Sequence, residues 1–220
     1  MQVNLISWPT MHPETLTGKA AAKCYNGVNY ERSLYTAMNG GHYSVAEHAA
    51  FTFEIDGVSR VLLAQLTRHR IASFSVNSQR YCGVKPTWVV PPAIKDAGYE
   101  DEYIAYCNAG YALMQEMMEN GVEAEDARYC IPQGVTCSLI MTMNARELMH
   151  FFELRCCNRA QWEIRDMARQ MLKLCRKFCP VLFGNAGPGC VRGHCPEGDK
   201  SCGEPYGGAD GKDCKVHPGD

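Results

Sequence analysis

The chain has 220 residues, a formal charge of −2, 46% hydrophobic and 21% charged residues. This composition is globular and long enough to bury a core, which excludes disorder over the whole length. No apolar run approaches the roughly 20 residues that a bilayer-spanning helix needs, and Met1 to Pro9 lacks the charged region and long apolar run of a signal peptide. The balanced charge gives no reason to expect wholesale attraction to nucleic acid or to an anionic membrane, so the expected location is cytoplasmic. Thirteen cysteines are the unusual figure. Without an export signal, the first nine read mostly as reduced core residues.

In chain order, Pro13 to Cys24 predicts a helix, and Tyr30 to Met38 a second one stopped by Gly40-Gly41. Ser44-Val45-Ala46-Glu47 fits a capping box at the start of a short helix. Phe51, Phe53 and Ile55 alternate with Thr52 and Glu54, the periodicity of a strand, and Asp56-Gly57 is expected to turn the chain. Val58 to Arg70 predicts a helix apolar on more than one face, hence well buried. Ile71 to Tyr81 reads as polar and irregular, and Pro86 with Pro91-Pro92 as a loop. Glu100 to Asn120 is the longest expected helix, closed by Gly121. Its Met and Tyr residues are those of a core or a subunit interface. Glu123 to Tyr129 predicts a short helix and Thr136 to Thr142 a strand. Two helices follow, Ala145 to Arg155 and Ala160 to Phe178. The order is that of an α+β protein, mixed helices around a central antiparallel or mixed sheet, without the alternation of a doubly wound fold. No internal repeat is visible.

Charge is balanced overall but not locally. Between Gly57 and Lys95 there is no Asp or Glu, whereas Arg60, Arg68, Arg70, Arg80, Lys85 and Lys95 fall there with His69. A planar guanidinium pairs in two places at once with phosphate or carboxylate. Arg68-His69-Arg70 is expected to project in three directions from a helix end. Ser73, Ser75, Asn77, Ser78 and Arg80 follow. Guanidinium groups interleaved with hydroxyls and amides make a polar cradle for an oxygen-rich ligand, and the plainer alternative is a solvated basic face. A second polar set, Arg146, His150 and Arg155, recurs at helical spacing, with Glu147 or Glu153 as expected ion-pair partners.

These segments closely resemble the flavin-dependent thymidylate synthases. The family signature, R-H-R, seven residues, S-x-R, is matched by Arg68-His69-Arg70, Ile71 to Asn77 and Ser78-Gln79-Arg80. Asn144-Ala145-Arg146-Glu147-Leu148, Leu154-Arg155 and Ala160-Gln161-Trp162-Glu163-Ile164-Arg165 look like its C-terminal helices, and Gly41-His42 with Glu47-His48 like its N-terminal motif. The resemblance spans roughly Leu34 to Pro180. It implies reductive methylation of dUMP to dTMP with FAD as cofactor, NADPH and methylenetetrahydrofolate as co-substrates, and a homotetramer with shared active sites. It also implies that no enzyme cysteine attacks the pyrimidine. By position, Ser44, Arg68, His69, Arg70, Asn144, Arg146 and His150 match cofactor-binding residues. Gln65, Arg68, Ser78, Gln79, Arg80, Arg128 and Arg155 match nucleotide-binding ones, with Arg80 the phosphate clamp. Arg155 matches the Arg that stabilises the ionised uracil ring, a role that suits a permanently charged group. His42 matches a histidine near the flavin and the folate entry. One departure is Val76, where many members carry a Glu that contacts flavin and nucleotide; His150 stands where some have Asn.

The catalytic unit is expected over 1–183 and a tail over 184–220. The tail contains ten Gly, four Pro and four Cys, which cannot build a core alone. Cys190, Cys195, Cys202 and Cys214 are candidate metal ligands, with His194 and His217 nearby, but their spacings are not those of common zinc modules. Two rival functions remain: a nucleic-acid-binding protein using the basic segment and the Cys/His tail, and a relative that keeps the fold without turnover.

Overall fold

A computed structural model describes residues 1–81 and 83–204. Four strands form one antiparallel sheet in the order β1-β2-β4-β3. They are β1 (Gln2–Ser7), β2 (Ala50–Ser59), β3 (Ala72–Val76) and β4 (Thr136–Asn144). The registers explain the two faces. Phe51 pairs with Met143, Phe53 with Met141 and Ile55 with Leu139, all buried. Across β4, Ala72, Phe74 and Val76 pair with the same three residues and pack on that core. The intervening residues face the other side, where the Thr52 and Thr142 hydroxyls meet at 3.0 Å.

The α+β expectation therefore holds, with two strands more than the alternation at Phe51–Ile55 and Thr136–Thr142 suggested. β1 and β3 lie at the sheet edges, and β3 falls in the stretch expected to be irregular. Its Ser73 and Ser75 are the exposed half of a regular alternation. The expected turn at Asp56-Gly57 is instead a bulge within β2. The β2–β4 register shifts between Ile55 and Val58, and Gly57 takes φ +70°, which a residue with a Cβ rarely adopts.

Helices α1 (Pro13–Tyr25), α2 (Tyr30–Asn39), α7 (Ala145–Arg155) and α8 (Trp162–Phe178) follow the expected boundaries within a few residues. The expected Val58–Arg70 helix is shorter. α3 covers Arg60–Leu66 and buries one stripe, Leu62 and Leu66, leaving Val61 37% exposed. The expected capping box at Ser44 does not form: Tyr43–His48 is a 3-10 helix without a side-chain cap. Short α4 (Pro92–Asp96), the long α5 (Glu100–Glu119), short α6 (Ala124–Ala127) and α9 (Pro180–Phe183) are the other α-helices among the described residues.

The inner sheet face is covered by α7 and α8 through Leu148, Phe151, Phe152, Ile164, Met167 and Met171. Phe152 and Phe183 rings meet edge to face at 6.1 Å. Two interactions fix how α8 enters. The Glu163 carboxylate, 2% exposed, accepts the Ser59 backbone N–H at 2.7 Å and its hydroxyl at 2.5 Å. Ser59 Oγ in turn accepts the Leu62 N–H at 3.0 Å, capping α3. β2, α3 and α8 are thus tied at one buried point, directly before the Arg68-His69-Arg70 segment. Among the described residues no helix is long and apolar enough to cross a membrane.

Candidate active site

The segment after α3 delivers its three motif residues differently. His69 is 5% exposed, while Arg68 and Arg70 reach solvent. His69 lies between two α7 side chains: Nδ1 is 3.1 Å from Glu147 Oε1, and Nε2 is 3.1 Å from Arg155 Nε. An arginine Nε–H can only donate, so Nε2 must carry the lone pair and Nδ1 the proton that Glu147 accepts. The imidazole is neutral. Burial is the largest influence on it and lowers its pKa, Glu147 opposes this, and Arg155 lowers it further, leaving it below the ordinary value. The contact with Glu147 is a hydrogen bond, not an ion pair.

Arg155 also donates from Nη2 to the Gln65 carbonyl at 3.5 Å. Burial and the neighbouring Arg68 charge push its pKa down. No carboxylate among the described residues pairs with Arg155 or Arg68. Two guanidinium groups whose charges oppose each other, one of them half-buried, favour an anion between or beside them. The expected partners Glu147 and Glu153 are both taken by other groups: Glu147 holds His69, and Glu153 pairs with Arg192 at 2.9 Å.

Glu147 links this cluster to a cavity of about 390 Å³, a size suited to small ligands. Arg146, His150 and Glu153 line it from successive turns of α7, together with Tyr43, Glu47 and Ile71. The Arg146 guanidinium lies over the Tyr43 ring at 5.4 Å. The His150 ring is 6.0 Å from that of His69. Of the cofactor-binding candidates, Arg146 and His150 line the cavity directly. Arg70 precedes its Ile71, and Ser44 follows its Tyr43. Asn144 is engaged as the α7 N-cap, its Oδ1 accepting the Glu147 N–H at 2.8 Å. His42 is exposed, its ring 6.1 Å from that of Tyr25.

Of the nucleotide-binding candidates, Gln65 and Arg68 lie with Arg155, and Ser78, Gln79, Arg80 and Arg128 form a second group. Arg80 pairs with Glu125 at 2.6 Å, and Arg128 Nε donates to the Glu125 carbonyl at 3.0 Å. Ser78 Oγ accepts the Arg80 N–H at 3.2 Å, and Gln79 is half-buried beside it. Among the described residues no hydrogen bond or ion pair joins this group to Arg155. Val76 packs on the core.

The basic segment is not one continuous face. Arg60 donates to the Asn77 carbonyl, Arg80 holds Glu125, Lys95 is 3.4 Å from Glu100, and His69 is buried. Such dispersal gives the nucleic-acid reading no support. Burial raises the thiol pKa of Cys107, Cys137, Cys157 and Cys175, and that of Cys179 to about 12, so these are poor nucleophiles. Among the described residues no three His, Cys, Asp or Glu side chains converge as metal ligands. Cys190 is buried, Cys195 and Cys202 are free thiols, and Cys214 with His217 lies outside the described residues.

Fold and site define a small-molecule-binding α+β protein with anion-seeking guanidinium groups beside an α7-lined cavity. Residues 5–181 match the family described as thymidylate synthase complementing protein. The chain is 44% identical to a flavin-dependent thymidylate synthase of Geobacter sulfurreducens, over 89% of this chain and 91% of the relative. It is 41% identical to one of Clostridium tetani (93% and 94%) and 48% identical to one of Nitratidesulfovibrio vulgaris (77% and 74%). The chain belongs to the flavin-dependent thymidylate synthase family.

Sequence reasoning placed the motif residues but missed how they are held. Glu147 as the His69 partner and Tyr43 as a cavity residue had no signal of their own, and Glu47 was visible only within the Glu47-His48 motif, without a role. Glu147 sits within the motif Asn144–Leu148, and its role emerges only when β4 and α7 bring it under His69.

Proposed function

We propose that this protein converts dUMP to dTMP, with methylenetetrahydrofolate as carbon donor, NADPH as reductant and FAD as the bound flavin. The observation that carries this reading is Arg155: a charged guanidinium oriented by a neutral imidazole and not neutralised by any described carboxylate. Such a group stabilises negative charge on a pyrimidine ring without moving a proton. Its one side-chain partner among the described residues, His69, is uncharged and so leaves the guanidinium charge available to a ligand.

The residues present fit a flavin dinucleotide. Arg146 and His150 offer a cation and a hydrogen-bonding ring on the cavity wall, the exposed Arg68 and Arg70 offer phosphate partners nearby, and Ser44 adds a hydroxyl. Asn144, its oxygen already used by the helix cap, keeps its amide N–H groups for a ligand. When bound and reduced by NADPH, the flavin supplies the hydride that turns a transferred methylene into a methyl group. Arg80 and Arg128 would hold the dUMP phosphate, which would displace the Glu125 carboxylate from Arg80, with Ser78, Gln79 and Gln65 completing the nucleotide contacts. His42 would act at the folate entry. The route needs no cysteine nucleophile, and the buried, protonated Cys107, Cys137, Cys175 and Cys179 thiols are poorly suited to be one.

The test is spectroscopic. Purified protein loaded with FAD should be yellow, bleach anaerobically with NADPH, and regain its colour on adding dUMP and methylenetetrahydrofolate, with dTMP formed. A protein that never takes up FAD would refute the reading.

A further inference from the structure

The segment after α9 lies beyond the family match, which ends at residue 181, yet it forms part of the cavity wall through Asn185, Ala186 and Arg192. It is held there by several contacts. Arg176 Nη2 donates to the Ala186 carbonyl at 2.8 Å, and Ala186, Gly187, Pro188 and Cys190 are buried. Around Gly189 the chain folds tightly on itself: a Cβ there would sit 2.6 Å from Pro196 and 3.6 Å from Glu153 Oε1. The segment therefore delivers Arg192 to a fixed place, where Nη2 lies 2.9 Å from Glu153 Oε2.

Arg146, His150 and Glu153 stand at i, i+4 and i+7 on α7 and share its cavity face. A carboxylate on that face opposes any phosphate held by Arg146. An ion pair this exposed, with both side chains a little over a third accessible, contributes little to stability. Its position on the cavity wall gives it a different use. Arg192 cancels the Glu153 charge and carries further N–H donors that a ligand can take.

We propose that Arg192 is a binding residue of this cavity for the phosphates of a flavin dinucleotide, supplied by the segment that follows α9. The inference rests on the flavin reading above. Arg192 holds Glu153 in the free protein and faces the ligand's phosphates in the bound one, so the C-terminal segment adds affinity for phosphate-bearing flavins specifically.

The test is equilibrium titration of the full chain with FAD and, in parallel, with riboflavin, which has the same ring and no phosphate. Arg192→Gln should weaken FAD binding about tenfold or more, the scale expected for a charge-assisted contact, and leave riboflavin binding unchanged. Glu153→Gln should tighten FAD binding, because the opposing charge is gone. Equal FAD affinity in wild type and Arg192→Gln overturns the proposal, as does an equal loss for both ligands, or FAD binding by Glu153→Gln that is no tighter than wild type. A wild-type protein that binds no FAD removes both this inference and the flavin reading. Wild-type FAD binding with an unaffected Arg192→Gln protein removes this inference alone.

Discussion

His69 has one proton and two demands on it. Glu147 needs that proton on Nδ1, and Arg155 needs a lone pair on Nε2. A second proton would remove the acceptor for Arg155 and set two cations 3.1 Å apart. The folded-state pKa of His69 lies below its ordinary value of 6.5. The unfolded chain therefore binds the extra proton first, and the contribution to stability is full above about pH 6.5 and is lost as pH falls through the lower folded-state value. Thermal unfolding between pH 5 and pH 8 should show a melting temperature that drops on the acid side. His69→Gln should flatten that drop; an identical pH profile in the variant would remove His69 as its source. Arg155 is separable from this. Arg155→Ala should abolish dTMP formation while leaving much of the FAD binding intact, measured by product assay and flavin titration. Near-normal turnover would refute its proposed role.

At the scale of elements, the Ser59–Glu163 contact decides whether α3 and α8 keep their relative places. Ser59→Ala deletes the α3 cap and leaves one buried Glu163 oxygen without its donor. Together these should cost about 1–3 kcal/mol. Urea denaturation should show a lower midpoint with an unchanged slope; a stability equal to wild type would mean that the carboxylate finds another donor. This contact was not legible in the sequence, because 104 residues separate its partners. What was legible followed strong local periodicity: α1, α2, α7 and α8, and the central strands where Phe51, Phe53 and Ile55 alternate. The edge strands were hidden for a physical reason. β3 buries only part of Ala72, Phe74 and Val76, so its Ser-rich exposed half dominates the pattern. For the site, the R-H-R and S-x-R signature identified residues by resemblance. The sequence had no means of dividing them into an Arg155 group and an Arg80 group, since that division depends on where β3, α6 and α7 end up in space.

That division matters for the whole molecule. Arg80 and Arg128 meet at Glu125 in α6, while Arg155, His69 and the cavity belong to α7 and the end of α3. The long helix α5 buries only Cys107 and Met114, and it leaves Tyr106 67% and Leu113 44% exposed. Spaced seven residues apart, these two lie near one face of the helix. Exposed apolar surface of this kind suits association with further copies, and the homotetramer proposed from the family resemblance would use it to complete each site. Light scattering should give a mass near four times 24.5 kDa. Tyr106→Glu combined with Leu113→Glu should lower that mass and the dTMP-forming activity together. Shared sites make a sharper demand. If Arg80 and Arg155 of one working site come from different chains, coexpressing Arg80→Ala with Arg155→Ala lets some mixed tetramers contain a site with both arginines intact. Turnover should then reappear from two inactive proteins. Mixed oligomers that form, verified by differential tagging, yet stay inactive would mean that each chain supplies both arginines to its own site. The exposed face of α5 would then serve stability alone.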